Sequence, residues 1–147
     1  MSAPYDLAAL AATVRERPGD ARARFEYAGA LDYLAHEAEA AREYELVYRD
    51  GMASLEPGER MRLYVQYGST LRNLNQLERS AELLEEGMRL FPAASALPAF
   101  LALTQYSRGD RRGALCRLLD ALLDSDGDGS AAEYRRALRA YAAELEP

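Results

Sequence analysis

The chain has 147 residues, 49% of them apolar, with 18 basic side chains against 24 acidic ones and a formal net charge of −6. That length fits a single domain burying ~70% of the surface its unfolded form exposes, and near-half apolar content with mixed charge argues against disorder. The acidic balance disfavours nucleic acid as a partner, which needs a basic stripe.

Every segment reads as helix, with turn chemistry between segments. The opening Met1-Ser2-Ala3-Pro4-Tyr5-Asp6 has no basic region and no apolar run, so no signal peptide is expected. Ala8, Leu10 and Ala11 mark a first helix that ends near Arg17, because Pro18-Gly19 follows. Asp20 is placed to cap the next helix, in which Tyr27, Leu31 and Leu34 recur at helical spacing. Its partner spans about Glu37 to Asp50, with Ala40, Tyr44, Val47 and Tyr48 inward and Gly51 as the stop. Pro57-Gly58 reads as a loop, after which a helix continues to Asn73. Asn75 with Glu78 fits a capping box for a helix that stops at Phe91-Pro92. Ser95 and Pro98 mark another start, Gly109-Asp110 a turn followed by a cap, and Ser130 with Glu133 a second capping box for the last helix. No segment approaches the ~20 apolar residues that a bilayer span needs, and the expected location is a bacterial cytoplasm.

These helices repeat. Tyr67-Gly68, Leu71, Asn75, Ser80, Leu84 and Gly87-Met88 recur 34 residues later as Leu101-Ala102, Gln105, Gly109, Ala114, Leu118 and Ala121-Leu122. A third copy lies 40 residues upstream as Tyr27-Ala28, Leu31, Ala35, Ala40, Tyr44 and Val47-Tyr48, the six extra residues falling in the 52–61 stretch. Small residues at fixed points in such a repeat mean stacked helix pairs, each burying its face against a neighbour. This architecture makes binding surfaces and rarely makes chemistry.

The residues from Asp20 to Asp126 resemble the tetratricopeptide repeat family. The middle copy follows that family's pattern from Tyr67 to Pro92, with small residues at Ser80 and Gly87. The last copy departs at Gln105, Arg111 and Asp126, and the first at Ala35 and Glu37. The marks Ala23-Arg24-Phe25-Glu26-Tyr27, Gly68-Ser69-Thr70-Leu71-Arg72-Asn73-Leu74 and Tyr134-Arg135-Arg136-Ala137-Leu138-Arg139-Ala140-Tyr141 are similar to those of small bacterial tetratricopeptide proteins. The resemblance implies an all-α, right-handed superhelical stack of antiparallel helix pairs. Its parts would be an N-terminal helix (3–17), three repeats (20–51, 57–92 and 95–126) and a capping helix (130–146).

Candidate chemistry is sparse. His36, the one histidine, falls in a turn between helices with no visible catalytic partner. Cys116, the one cysteine, rules out an intrachain disulfide and fits a small apolar role; Arg112 and Arg117 nearby leave a reactive thiol as the weaker alternative. Asp124-Ser125-Asp126-Gly127-Asp128-Gly129 begins as calcium loops do. The place for the closing bidentate Glu holds Arg135, so an acidic turn before a capped helix is the preferred reading. All 18 basic residues are Arg, and Lys, Ile and Trp are absent, which reads as coding bias. Nothing resembles a phosphate loop, a catalytic carboxylate pair or a metal-ligand cluster. Neither an enzyme nor a cofactor is expected.

The resemblance also places the groove-facing residues, since the first helix of each pair lines a concave surface in this family. They are Arg22, Phe25, Gly29, Asp32 and Tyr33 in the first repeat, Arg62, Val65, Ser69, Arg72 and Asn73 in the second, and Ala99, Leu103 and Tyr106 in the third. Tyr and Arg suit binding through contact area and bidentate hydrogen bonds, although a solvated concave face contains such residues too. The Lys/Asn carboxylate clamp of the family's chaperone-tail binders is absent, with Phe25 and Gly29 in two of its places. Chaperone C-termini are therefore not expected as ligands. The implied function is a non-catalytic module that holds a peptide or helix of a partner protein. The alternative is self-association as a homodimer through the final helix, with Tyr134, Leu138, Tyr141 and Leu145 on one face, or through the N-terminal helix.

Overall fold

A computed structural model describes residues 4–144 apart from Asp126 and Asp128. Regular structure among these residues is entirely helical. The chain divides into two compact units, one ending at Asn75 and one beginning at Gln76.

The first unit holds α1 (Leu7–Glu16), α2 (Ala21–Tyr33), α3 (Glu37–Asp50), a 3-10 turn (Met52–Ser54) and α4 (Pro57–Asn73). Carboxylates set the starts of the first two helices. Asp6 accepts from the Ala9 N–H at 3.0 Å, and Asp20 from that of Ala23 at 3.0 Å, each satisfying a donor that the helix leaves orphaned. Pro57 is the first residue of α4 rather than part of a loop; a first-turn N–H has no helical partner, so its loss costs nothing. The 3-10 turn accounts for part of the longer spacing between the first two copies.

The core of this unit is aromatic. Tyr44 is fully buried, its ring centroid 6.1 Å from that of Phe25 and 5.9 Å from that of Tyr67. Tyr48 meets Tyr64 edge-on and Tyr67 at a tilt. Ala28, Ala40 and Gly68, small in every copy of the repeat, are buried where helices approach closely.

The second unit holds α5 (Leu77–Leu90), α6 (Ala96–Ser107), α7 (Arg111–Asp124), α8 (Ser130–Glu133) and α9 (Arg135–Glu144). Leu83, Leu84, Leu97 and Leu101 form its core with Ala102, Ala114 and Ala121. The Ser80 and Thr104 hydroxyls, both fully buried, lie 2.9 Å apart, so polar atoms brought into this core are hydrogen-bonded. Asp110 caps α7 by accepting from the Gly113 N–H at 2.8 Å. The expected single terminal helix is broken: α8 ends at Glu133, Tyr134 forms a turn, and α9 starts afresh at Arg135. Ser130 is the first helical residue there, and Gly129, in the left-handed region, is the cap.

One column of the repeat explains the turns. Ala35, Asn75 and Gly109 all adopt positive φ, at 62°, 59° and 93°. After Ala35, the His36 N–H reaches the Leu31 carbonyl at 2.9 Å; after Gly109, that of Asp110 reaches Gln105 at 3.0 Å. This is the bonding of a left-handed C-terminal turn. Asn75 therefore terminates α4 instead of capping α5, whose cap position is Gln76. Ala35 carries a Cβ into this region at a cost of about 1 kcal/mol.

Candidate peptide-binding groove

α2 and α4 lie side by side in the same direction. At their first turns the Arg22 Nε sits 2.9 Å from Glu59 Oε1, and the last residue of α4, Asn73, donates its amide to Oε1 of Glu37, the first residue of α3, at 3.2 Å. Between them runs an open groove of about 620 Å³ within the first unit. Arg22, Phe25, Gly29, Asp32, Tyr33, Arg62 and Asn73, all placed on a concave face by their repeat positions, line it together.

The groove is polarised along its length. Its head holds Arg22 and Arg62, with the exposed Glu26 carboxylate one turn further along α2, 3.9 Å from the Arg22 Nε. Arg22 is tied to buried Glu59, whose second oxygen accepts from the Glu56 N–H at 2.9 Å. Arg62 is exposed and makes no ion pair among the described residues. The foot holds Asp32, Glu37 and Tyr33, the last stacked edge-on against Tyr5 at 5.3 Å. The floor is Phe25 with Tyr44, whose hydroxyl donates to Gln66 Oε1 at 3.1 Å. Burial pushes the Tyr44 phenol well above its ordinary range, with Asp32 and Tyr5 adding to the shift, so it stays a donor.

Asp32 is also displaced upward. Burial is the main cause, a hydrogen bond from Thr70 opposes it, and the Glu37 charge reinforces it. A carboxyl whose pKa rises on folding favours the native state only while protonated; that contribution is lost as pH climbs from the ordinary value of 3.8 through the raised one. Asp32→Asn, neutral throughout, is therefore expected to be more stable than the native chain at pH 7. Urea unfolding at pH 7 and again below pH 3.8 should show the advantage shrinking with acid. A pH-independent difference would reject desolvation as its cause.

The remaining predicted positions lie elsewhere. Val65, Ser69 and Arg72 are half-buried on α4, outside the groove lining. The Arg72 Nη2 donates to Asn73 Oδ1 at 3.1 Å, while its Nε is enclosed without a partner. Ala99, Leu103 and Tyr106 belong to α6 in the second unit. Repeat spacing alone leaves out Glu59, Gln66 and the Tyr44 hydroxyl. The available signal for Gln66 was its place one turn after Arg62.

A family profile described as "Tetratrico peptide repeat" matches residues 21–145. The chain belongs to the tetratricopeptide repeat family. No curated protein matches the sequence. As a tetratricopeptide repeat protein it has the fold of a protein–protein interaction module, and the shared column of Ala35, Asn75 and Gly109 marks the turn within each helix pair.

Neither His36 nor Cys116 lines the groove. His36 is exposed, with Nδ1 3.7 Å from Glu39. Cys116 is half-buried, its Sγ 3.9 Å from the Ala142 carbonyl. Of the acidic loop, Asp126 and Asp128 lie outside the described residues; Asp124 is 4.0 Å from Arg135, the cation that occupies the closing position of a calcium loop. Among the described residues no three His, Cys, Asp or Glu side chains gather as a metal site, and no helix is long and apolar enough to cross a membrane.

Proposed function

We propose that this tetratricopeptide repeat protein is a non-catalytic adaptor of the bacterial cytoplasm whose α2–α4 groove receives a peptide or helix from a partner protein. The observation that carries this reading is the groove's uneven charge: at one end Arg62, without an ion pair among the described residues, beside the Arg22–Glu59 and Arg22–Glu26 pairs; at the other Asp32 and Glu37; and aromatic rings between. Arg22 and Asp32 are ten residues apart on α2, about 15 Å along the axis, which suits about three turns of a helix or an extended segment of fewer residues. A ligand with an acidic group at the Arg62 end and a basic one at the Asp32 end matches both termini, and Tyr33 supplies exposed contact area.

Arg62→Glu with Tyr33→Ala tests this without disturbing the core, since both side chains are exposed. Arg72 is less suitable, because its partly enclosed guanidinium would confound binding with stability. Affinity capture from native lysate, wild type beside the variant, should recover a partner with the wild type only, at unchanged helicity and melting temperature. Equal recovery by both baits would reject the groove as the binding surface.

A further inference from the structure

A second surface lies on the second unit and owes nothing to the groove. Leu115, Leu118 and Leu122 run along one stripe of α7, and Leu103 and Tyr106 stand on α6; all five are between 39% and 57% exposed. The two sets form one face, because Arg111, one turn before Leu115, lays its guanidinium over the Tyr106 ring at 5.7 Å.

The leucine stripe consists of interior positions left uncovered. Leu118 occupies the repeat column of Tyr44 and Leu84, both fully buried. Leu122 follows Tyr48 and Met88, and Leu115 follows Ala41 and Ala81, none of which is exposed. In the first unit α4 covers that face of α3, through the ring contacts of Tyr44 and Tyr48 with Tyr64 and Tyr67. Among the described residues of the second unit nothing takes that place on α7, because α9 packs on a different flank. Arg112 donates to the Ala143 carbonyl at 2.7 Å, Arg139 pairs with Asp120 at 2.9 Å, and Arg135 donates to the Leu123 carbonyl at 3.2 Å.

We propose that this face is the contact between two copies of the chain. Among the described residues no carboxylate stands in the leucine stripe, and Arg111, over Tyr106, lies two turns from Leu118, so antiparallel pairing about Leu118 carries the two guanidiniums to opposite ends of the contact. Spacings of three and four along the stripe form a helix-pairing seam. A two-fold axis at Leu118 sets that residue against its copy and Leu115 against Leu122 of the other chain. The five side chains expose on the order of 400 Å² per copy, about the largest apolar patch that a monomer ordinarily shows, which is often a functional one. That is about half of the ~800 Å² per partner in a standard interface, so the contact is a small dimer completed by rim residues.

Size-exclusion chromatography with light scattering on the full chain should give twice the chain mass at high micromolar concentration. Leu118→Glu with Leu122→Glu should halve that mass while circular dichroism and melting stay unchanged. Cys116→Ser with Leu118→Cys keeps an uncharged face and places a thiol on the axis; oxidation should then link two chains. The same background with Arg89→Cys, exposed on α5, should not link. A monomeric wild type, a dimer whose mass survives the paired Glu substitutions, or equal cross-linking at positions 89 and 118 would overturn the proposal.

Discussion

Tyr44→Ala is expected to destabilise the protein by about 4 kcal/mol, within the range for deleting a buried aromatic ring. The side chain is fully enclosed between Phe25 and Tyr67, and removing it leaves a cavity that three helices must either tolerate or collapse into. Tyr44→Phe separates the ring from the hydroxyl. It should cost only about 1 kcal/mol, the net worth of one hydrogen bond, because Gln66 lies on an open groove where water can replace the lost donor. The midpoints of urea unfolding for the two variants give both numbers, provided the slopes match that of the native chain. A Phe variant as unstable as the Ala variant would mean that the hydroxyl, not the packing, holds this site together.

The small-residue columns were legible because close helix approach admits few side chains. Ala28, Gly68 and Ala102 are buried, as are Ala40, Ser80 and Ala114. The turn column was legible for a related reason: Asn75 and Gly109 tolerate positive φ, and Ala35 departs from the pattern in chemistry while keeping the backbone geometry. The column assigned Asn75 correctly to a turn, yet its side chain also suited a cap, and local preference cannot decide between two adjacent roles. Pro57 shows the same limit, since loop entry and a helix's first turn favour the same residue.

The groove was legible in part. The family resemblance, counted from the small residue of each repeat, puts Arg22, Asp32, Tyr33, Arg62 and Asn73 on a concave face, and all five line the groove. The ion pair that engages Arg22 and leaves Arg62 free depends on Glu59 being buried, and burial of a first-turn acid is a tertiary fact. The α7 leucines illustrate the converse. Their columns are interior in the earlier copies, so the sequence marks them as core; only the position of α9 shows that they are bare.

Gly51 gives the sharpest test of how the first helix pair closes. It ends α3 as expected of a stop, but its φ of −115° and ψ of −8° are open to any residue, so conformational freedom does not explain the glycine. Close approach does. A Cβ at this position would lie 2.6 Å from the Ala21 Cβ and 3.2 Å from the Val47 carbonyl oxygen. Both atoms are fixed by backbone, and neither can swing aside as the end of a long side chain would. Gly51→Ala, which would stabilise an unhindered site by ~0.4–1 kcal/mol through the unfolded chain, is instead expected to cost about 2 kcal/mol by overpacking. Ala21→Gly removes the obstructing methyl, so although it destabilises α2 alone, it should recover stability when combined with Gly51→Ala. Urea unfolding of the four members of this cycle measures the coupling directly. Strictly additive effects, or a Gly51→Ala chain as stable as the native one, would show that the start of α2 and the end of α3 have room to part, and that the glycine serves some purpose other than contact.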